Sequence, residues 1–188
     1  MPVNAIPFKM PAPLEIPAHL VSMLRQLPPD QAVQRGMELL LQIEAAEIMI
    51  YEQVNTEGGL NLAGVVCQDA GQAGRIQVLL AGEEIYGQPL SSAGLAGRAL
   101  AQGSALLVMG QLLPGEEGPL PPRLKELLMS RASGGNIGFV YVLPLGGVGQ
   151  RPLGALTLVR GAAAGPLNHE QPGLAEGMRQ VLEGILGG

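Results

Sequence analysis

The sequence predicts an α+β domain, a central antiparallel sheet with helices packed on it. Three observations point there. β-like runs occur mostly in pairs joined by glycine-rich turns, most clearly at 137–145 and 152–160. Helical periodicity brackets those runs and recurs between them, in the order helix, hairpin, helix, strand, helix, hairpin, helix. Finally, 188 residues that are 47% hydrophobic supply one well-packed core and hardly the length for two. The expected organisation is a Pro-rich arm over residues 1–30 and one domain over 31–188.

The arm holds Pro2, Pro7, Pro11, Pro13, Pro17, Pro28 and Pro29, each of which removes a backbone donor and fixes φ. It is expected to run extended, with one short helical turn near 19–25. Asp30 is suited to cap a long helix reaching about Val54, because its carboxylate accepts from free first-turn N–H groups. Two apolar stripes run along that helix: Val33, Met37, Leu41, Ala45 and Ile48, and then Leu39, Ile43, Ala46, Ile50 and Val54. A helix apolar on two sides must be covered twice, once by its sheet and once by the C-terminal helix or a second subunit. A homodimer is therefore expected.

Runs 64–69 and 75–80 flank Gly71-Gln72-Ala73-Gly74 and read as a hairpin. Ser91-Ser92 leads into a helix bearing Leu95, Ala96, Ala99 and Leu100, ended by Gly103 and followed by a strand over 105–109. Residues 110–122 are a Gly-, Pro- and Glu-rich loop, after which Pro121 or Pro122 opens a helix carrying Leu124, Leu127 and Leu128 and closed by Gly134-Gly135. The long hairpin 137–145 and 152–160 turns through Gly146-Gly147-Val148-Gly149-Gln150. Asn168 is expected to cap a last helix striped by Leu174, Met178, Val181, Leu182 and Ile185.

Composition excludes several functions. A net charge of −5 without a Lys/Arg cluster leaves nothing to displace counterions from a nucleic acid. No run approaches the roughly 18 to 20 apolar residues that span a bilayer, and no basic segment precedes an apolar one at the N-terminus, so no membrane association and a cytoplasmic location are expected. The lone Cys67 permits no intramolecular disulfide and no thiolate metal cluster. Only Lys9 and Lys125 stand against nine arginines, a usage associated with GC-rich bacterial genomes.

Three segments, in order, resemble the GAF family. The first is Pro89-Leu90-Ser91-Ser92-Ala93-Gly94-Leu95-Ala96-Gly97-Arg98-Ala99-Leu100-Ala101-Gln102-Gly103 with Ala105-Leu106-Leu107-Val108, similar to the family's short helix leading into a strand. The second is Val140-Tyr141-Val142-Leu143-Pro144-Leu145, the glycine turn, and Pro152-Leu153-Gly154-Ala155-Leu156-Thr157-Leu158-Val159-Arg160, similar to its terminal hairpin. The third is the striped helix after Asn168-His169-Glu170. The resemblance spans roughly 31–186 and implies a GAF/PAS-like five- or six-stranded antiparallel sheet. It also implies a ligand pocket on one sheet face and a commonly dimeric helical face on the other.

In that pocket the resemblance puts Arg98 and Arg131, whose guanidinium groups can grip a carboxylate or phosphate, with Met109, Phe139 and Tyr141 as lining. The alternative is that the two arginines face solvent and the three strand residues are core. With three Tyr, two Phe and no Trp, a large planar cofactor finds few stacking partners, and the cofactor stays unknown.

Catalytic readings find little support. Cys67 sits in an apolar run without a neighbouring base, as a structural cysteine does. The family's methionine-sulfoxide reductases use several cysteines, and its bilin-binding members usually follow theirs with His, where this chain has Gln68. Its cyclic-nucleotide-binding members carry an Asn-Lys-Phe…Asp-Glu signature that is absent here. His19 and His169 lack a local metal partner. Glu44, Glu47 and Glu52 read as a solvated helix face, and Asp30 and Asp69 as a cap and a turn residue. The Gly94/Gly97 and Gly146/Gly149 spacings lack the setting of a phosphate loop.

The sequence therefore points to a non-catalytic, stand-alone GAF-like signalling module, dimeric through its first and last helices. It binds a small-molecule ligand, a signalling protein in trans, or both. The alternatives are a small redox enzyme using Cys67 with an external thiol, and a ligand-free structural dimerisation platform.

Overall fold

The computed structural model describes residues 5–81, 86, 88–90, 94–109, 137–146 and 149–188. The strands are β1 (Ala5–Phe8), β2 (Ile48–Val54), β3 (Leu60–Cys67), β4 (Ala105–Met109), β5 (Ile137–Leu145) and β6 (Gly154–Gly161). They form one sheet in the order β1-β4-β5-β6-β2-β3, antiparallel throughout. The helices are α1 (Ala18–Gln26), α2 (Pro29–Gln42), α3 (Ala70–Ala81), α4 (Gly94–Gln102) and α5 (Gln171–Gly187). This is the α+β class predicted, with six strands, and the 105–109 strand, the 94–102 helix and the long hairpin fall where expected. The helix expected around Leu124 lies outside the described residues.

Because side chains alternate across a strand, the sheet divides the molecule into two cores. Ile48, Ile50, Leu106, Val108, Val140, Val142, Ala155 and Val159 meet Ile76 and Leu80 of α3 and Leu95, Ala99 and Leu100 of α4. Met49, Tyr51, Tyr141, Leu143, Leu156 and Leu158 meet Leu24 of α1, Val33, Met37 and Leu40 of α2, and Met178 and Leu182 of α5.

The long first helix is corrected. α2 stops at Gln42, Glu44 adopts a left-handed φ of 58°, and residues 48–54 form a strand. The strand is buried on both faces, so Ile48-Met49-Ile50-Tyr51 shows no polar alternation, and its bulk suits a sheet better than a helix. The second apolar stripe is thus divided between helix and strand, and the inference of a dimer from it loses its basis. Carbonyls at the reversal are collected by Arg160, which donates from Nη1 to Glu44 O at 2.6 Å and Ala45 O at 2.9 Å. Its Nε donates to Gly165 O at 2.8 Å, and Gln171 Nε2 bonds Ile43 O at 3.1 Å.

The expected 64–80 hairpin is also corrected. Residues 60–67 are β3, but 70–81 are helix α3: Asp69 Oδ1 accepts from Gly71 N at 3.1 Å, so Gly71 lies in a capped first turn and Gly74 follows in the next. The arm is not simply extended. It supplies β1, which pairs with β4, and the nine-residue α1. Between them Leu14 N donates to Gly173 O at 2.9 Å, and a Cβ on Gly177 would stand 2.1 Å from Leu14 O. Gly173 and Gly177, one turn apart, thus make the notch on α5 in which this strap lies. Asn168 caps nothing with its side chain; its backbone N–H donates to Gln171 Oε1 at 3.2 Å.

Candidate functional site

Of the five residues expected around a pocket, the four that are described do not converge. On β5, Tyr141 turns to the α1/α2/α5 side, where its hydroxyl accepts from Leu167 N at 3.1 Å and its ring meets Phe8 edge-on at 5.2 Å. Phe139 packs on the same core, and Met109, paired with Phe139, shares the alternation of Ala105 and Leu107 toward that side. Arg98 is half-buried on α4, in the layer over the opposite sheet face. Arg131 lies outside the described residues.

That opposite face carries a group the sequence reading missed. Glu52 belongs to β2, and it pairs with Ala155 of β6 and Leu62 of β3, both packed in the α3/α4 core. The register slips there, Tyr51 opposing Gly64 and Glu52 opposing Leu62, so β3 bulges at Ala63 beside the carboxylate. Gly154, next to Ala155 on β6, lets that strand approach the Glu52 backbone closely, since a Cβ there would lie 2.4 Å from Glu52 O. Glu52 is only 7% exposed.

Tyr86, in the segment tied to the β2–β3 turn by the Gly59–Pro89 bridge, hydrogen-bonds the Glu52 carboxyl. Oε2 has no partner among the described residues. Burial pushes the carboxyl up to about 7, and the Tyr86 bond only partly opposes it. Thr157, 5% exposed, faces the same side two residues along β6 from Ala155. Leu62, Val54 and Leu90 supply apolar walls.

Charged groups on the helical side are saturated by contrast. Glu176 takes two bonds from Arg179, at 2.7 and 2.8 Å, and one from Gln180. Arg179 also reaches Glu183 and Pro144 O, while Glu183 accepts from Gly146 N at 2.9 Å, fixing the β5–β6 turn to α5. Arg160 is pulled below the usual guanidinium range by desolvation, opposed by Tyr141, Glu47 and Glu44, and its donors are all engaged on carbonyls. Among the buried side-chain atoms of the described residues on this side, the Tyr51 hydroxyl alone lacks a partner, and burial raises its pKa. A groove of about 720 Å³ between the strap, α1 and α5 is open to solvent and lies away from Glu52.

Cys67 is buried at the end of β3. No group of three His, Cys, Asp or Glu suited to a metal occurs among the described residues. No helix among them is long and apolar enough to cross a membrane. The solvated helix face expected at Glu52 is corrected, because residues 48–54 are a buried strand and not the end of a helix. The signal of Glu52 was a single carboxylate inside an otherwise apolar, bulky run.

No family model matches the sequence, and no curated protein matches it. The structure is similar to the GAF domain region of a Geobacter sulfurreducens PCA protein, with a TM-score of 0.60 at 17% identity, covering 88% of this chain and 97% of that one. A GAF domain/HD domain protein from Geobacter sulfurreducens gives 0.54 at 14% identity, covering 88% and 93%. A phycoerythrobilin-bound GAF domain from a cyanobacterial phytochrome gives 0.53 at 9% identity, covering 89% and 90%. The chain has a GAF-like fold.

Proposed function

We propose that the chain is a non-catalytic sensory or regulatory module, binding a small molecule on the sheet face beneath α3 and α4. The observation that carries this reading is the asymmetry of the two faces. One buries its ionised groups in completed hydrogen-bond networks, whereas the other holds a buried carboxyl with one oxygen unpartnered among the described residues. Arg98 on α4 and Arg131 are the cations proposed to serve this site. Phe139, Tyr141 and Met109 serve the opposite core instead of lining this site.

Signalling in this reading passes to a second copy or to a protein partner in trans, in the cytosol. Leu174, Val181 and Ile185 on α5 and Leu39 on α2 remain half-buried and offer apolar area to a second copy. A native mass spectrum of freshly purified full-length protein tests both parts. The expected result is a dimer that retains a defined small mass. An apo monomer whose melting temperature no metabolite raises saturably would overturn the proposal.

A further inference from the structure

We infer that the Glu52 carboxylate anchors a small primary alkylammonium ligand on the sheet face beneath α4. The inference rests on the ligand-binding reading above and narrows it to one chemical class. A carboxyl buried to 7% exposure needs several donors to be held without penalty. Tyr86 supplies one, and Oε2 is left open among the described residues. Among the described residues no cation pairs with Glu52, although Glu176 and Glu183, also at least half-buried, both hold Arg179.

The β3 bulge at Ala63 lies beside this carboxyl, on the sheet face that also carries Leu62, Ala155 and Val54, with Leu90 packed against the same core. An ammonium brings three donors and the compensating charge from one compact centre, and a short alkyl tail suits these walls. A neutral alcohol offers a single donor and leaves the negative charge uncompensated. A carboxylate or phosphate would be repelled. The raised carboxyl pKa agrees with a group whose counter-charge arrives with the ligand.

The test uses the methyl-labelled full-length chain at physiological salt, titrated by NMR with n-butylammonium chloride and separately with n-butanol. Saturable shifts at Leu62, Leu90 and Ala155 methyls are expected with n-butylammonium, and n-butanol should bind about tenfold more weakly or less. Glu52→Gln keeps the side-chain volume and should weaken n-butylammonium by at least about tenfold while leaving n-butanol unchanged. Tyr86→Phe, which leaves the carboxylate in place, should retain saturable n-butylammonium binding. Equal binding of the two probes, or an unaffected Glu52→Gln, overturns the ammonium assignment while the ligand-binding reading survives on the n-butanol shifts. If neither probe moves these methyls, both fail.

Discussion

Replacing Arg160 by Met removes a guanidinium that is 2% exposed and joins two chain reversals far apart in sequence. Three of its bonds are shorter than 3.0 Å, to Glu44 O, Ala45 O and Gly165 O. Charge-assisted bonds to partly exposed carbonyls contribute about 1.5 kcal/mol each, or roughly 4 to 5 together. Met relieves the desolvation of the guanidinium, which offsets about 1 to 2 kcal/mol, leaving a net loss of about 3 kcal/mol. For a chain of this length that lowers the melting temperature by roughly 6 to 12 °C. Arg160→Lys keeps the charge, but one ammonium cannot reach the α2 reversal and the 162–166 turn together, so it should lose about 2 kcal/mol. Urea denaturation with an unchanged m-value measures both. A loss below about 0.5 kcal/mol for Arg160→Met would show that water replaces the clamp and would refute the reasoning.

Glu52 predicts a pH dependence. Its folded pKa is raised from 4.5 to about 7, so the folded state holds a proton that the unfolded chain has already released. Its contribution is therefore fully present below pH 4.5, is lost as pH rises toward 7, and is constant above. Glu52→Gln should match wild type near pH 4.5 and exceed it by about 1 to 3 kcal/mol at pH 8 in denaturant titrations. Gly177→Ala drives a methyl into Leu14 O and should release the strap locally. Trypsin should then cut after Lys9 about tenfold faster, with the sheet still protected, and equal rates would place the strap elsewhere.

The parts of the fold that were legible in the sequence are those where one period dominates. The β5–β6 hairpin is bounded by glycine turns, and α4 ends where Gly103 takes a φ of 61°. Legibility failed where burial hides the period. β2 is covered on both faces and mimics an apolar helix, and α3 opens with glycines that resemble a turn although Ala73, Ile76 and Leu80 share one side. The candidate site suffered from the first of these errors. Once residues 48–54 are placed on a helix, Glu52 becomes an ordinary solvated acid, and only its pairing with Ala155 and Leu62 reveals it as buried. Tyr141 and Phe139 were ambiguous for a different reason: alternation says that neighbours face opposite ways, not which way leads to a pocket.

The four residues of β1 also shield the sheet from uncontrolled association. They cover β4, whose Ala-Leu-Leu-Val-Met sequence has no charge and no proline to discourage pairing with another chain. β1 itself is a poor template, because it is short and Pro7, opposite Leu106, has no N–H to offer. The proline that marks an extended arm in the sequence thus sits where an exposed border most needs one. A chain shortened to begin after Phe8 would keep most of its core yet bare a sticky margin, so solubility would fail before stability did.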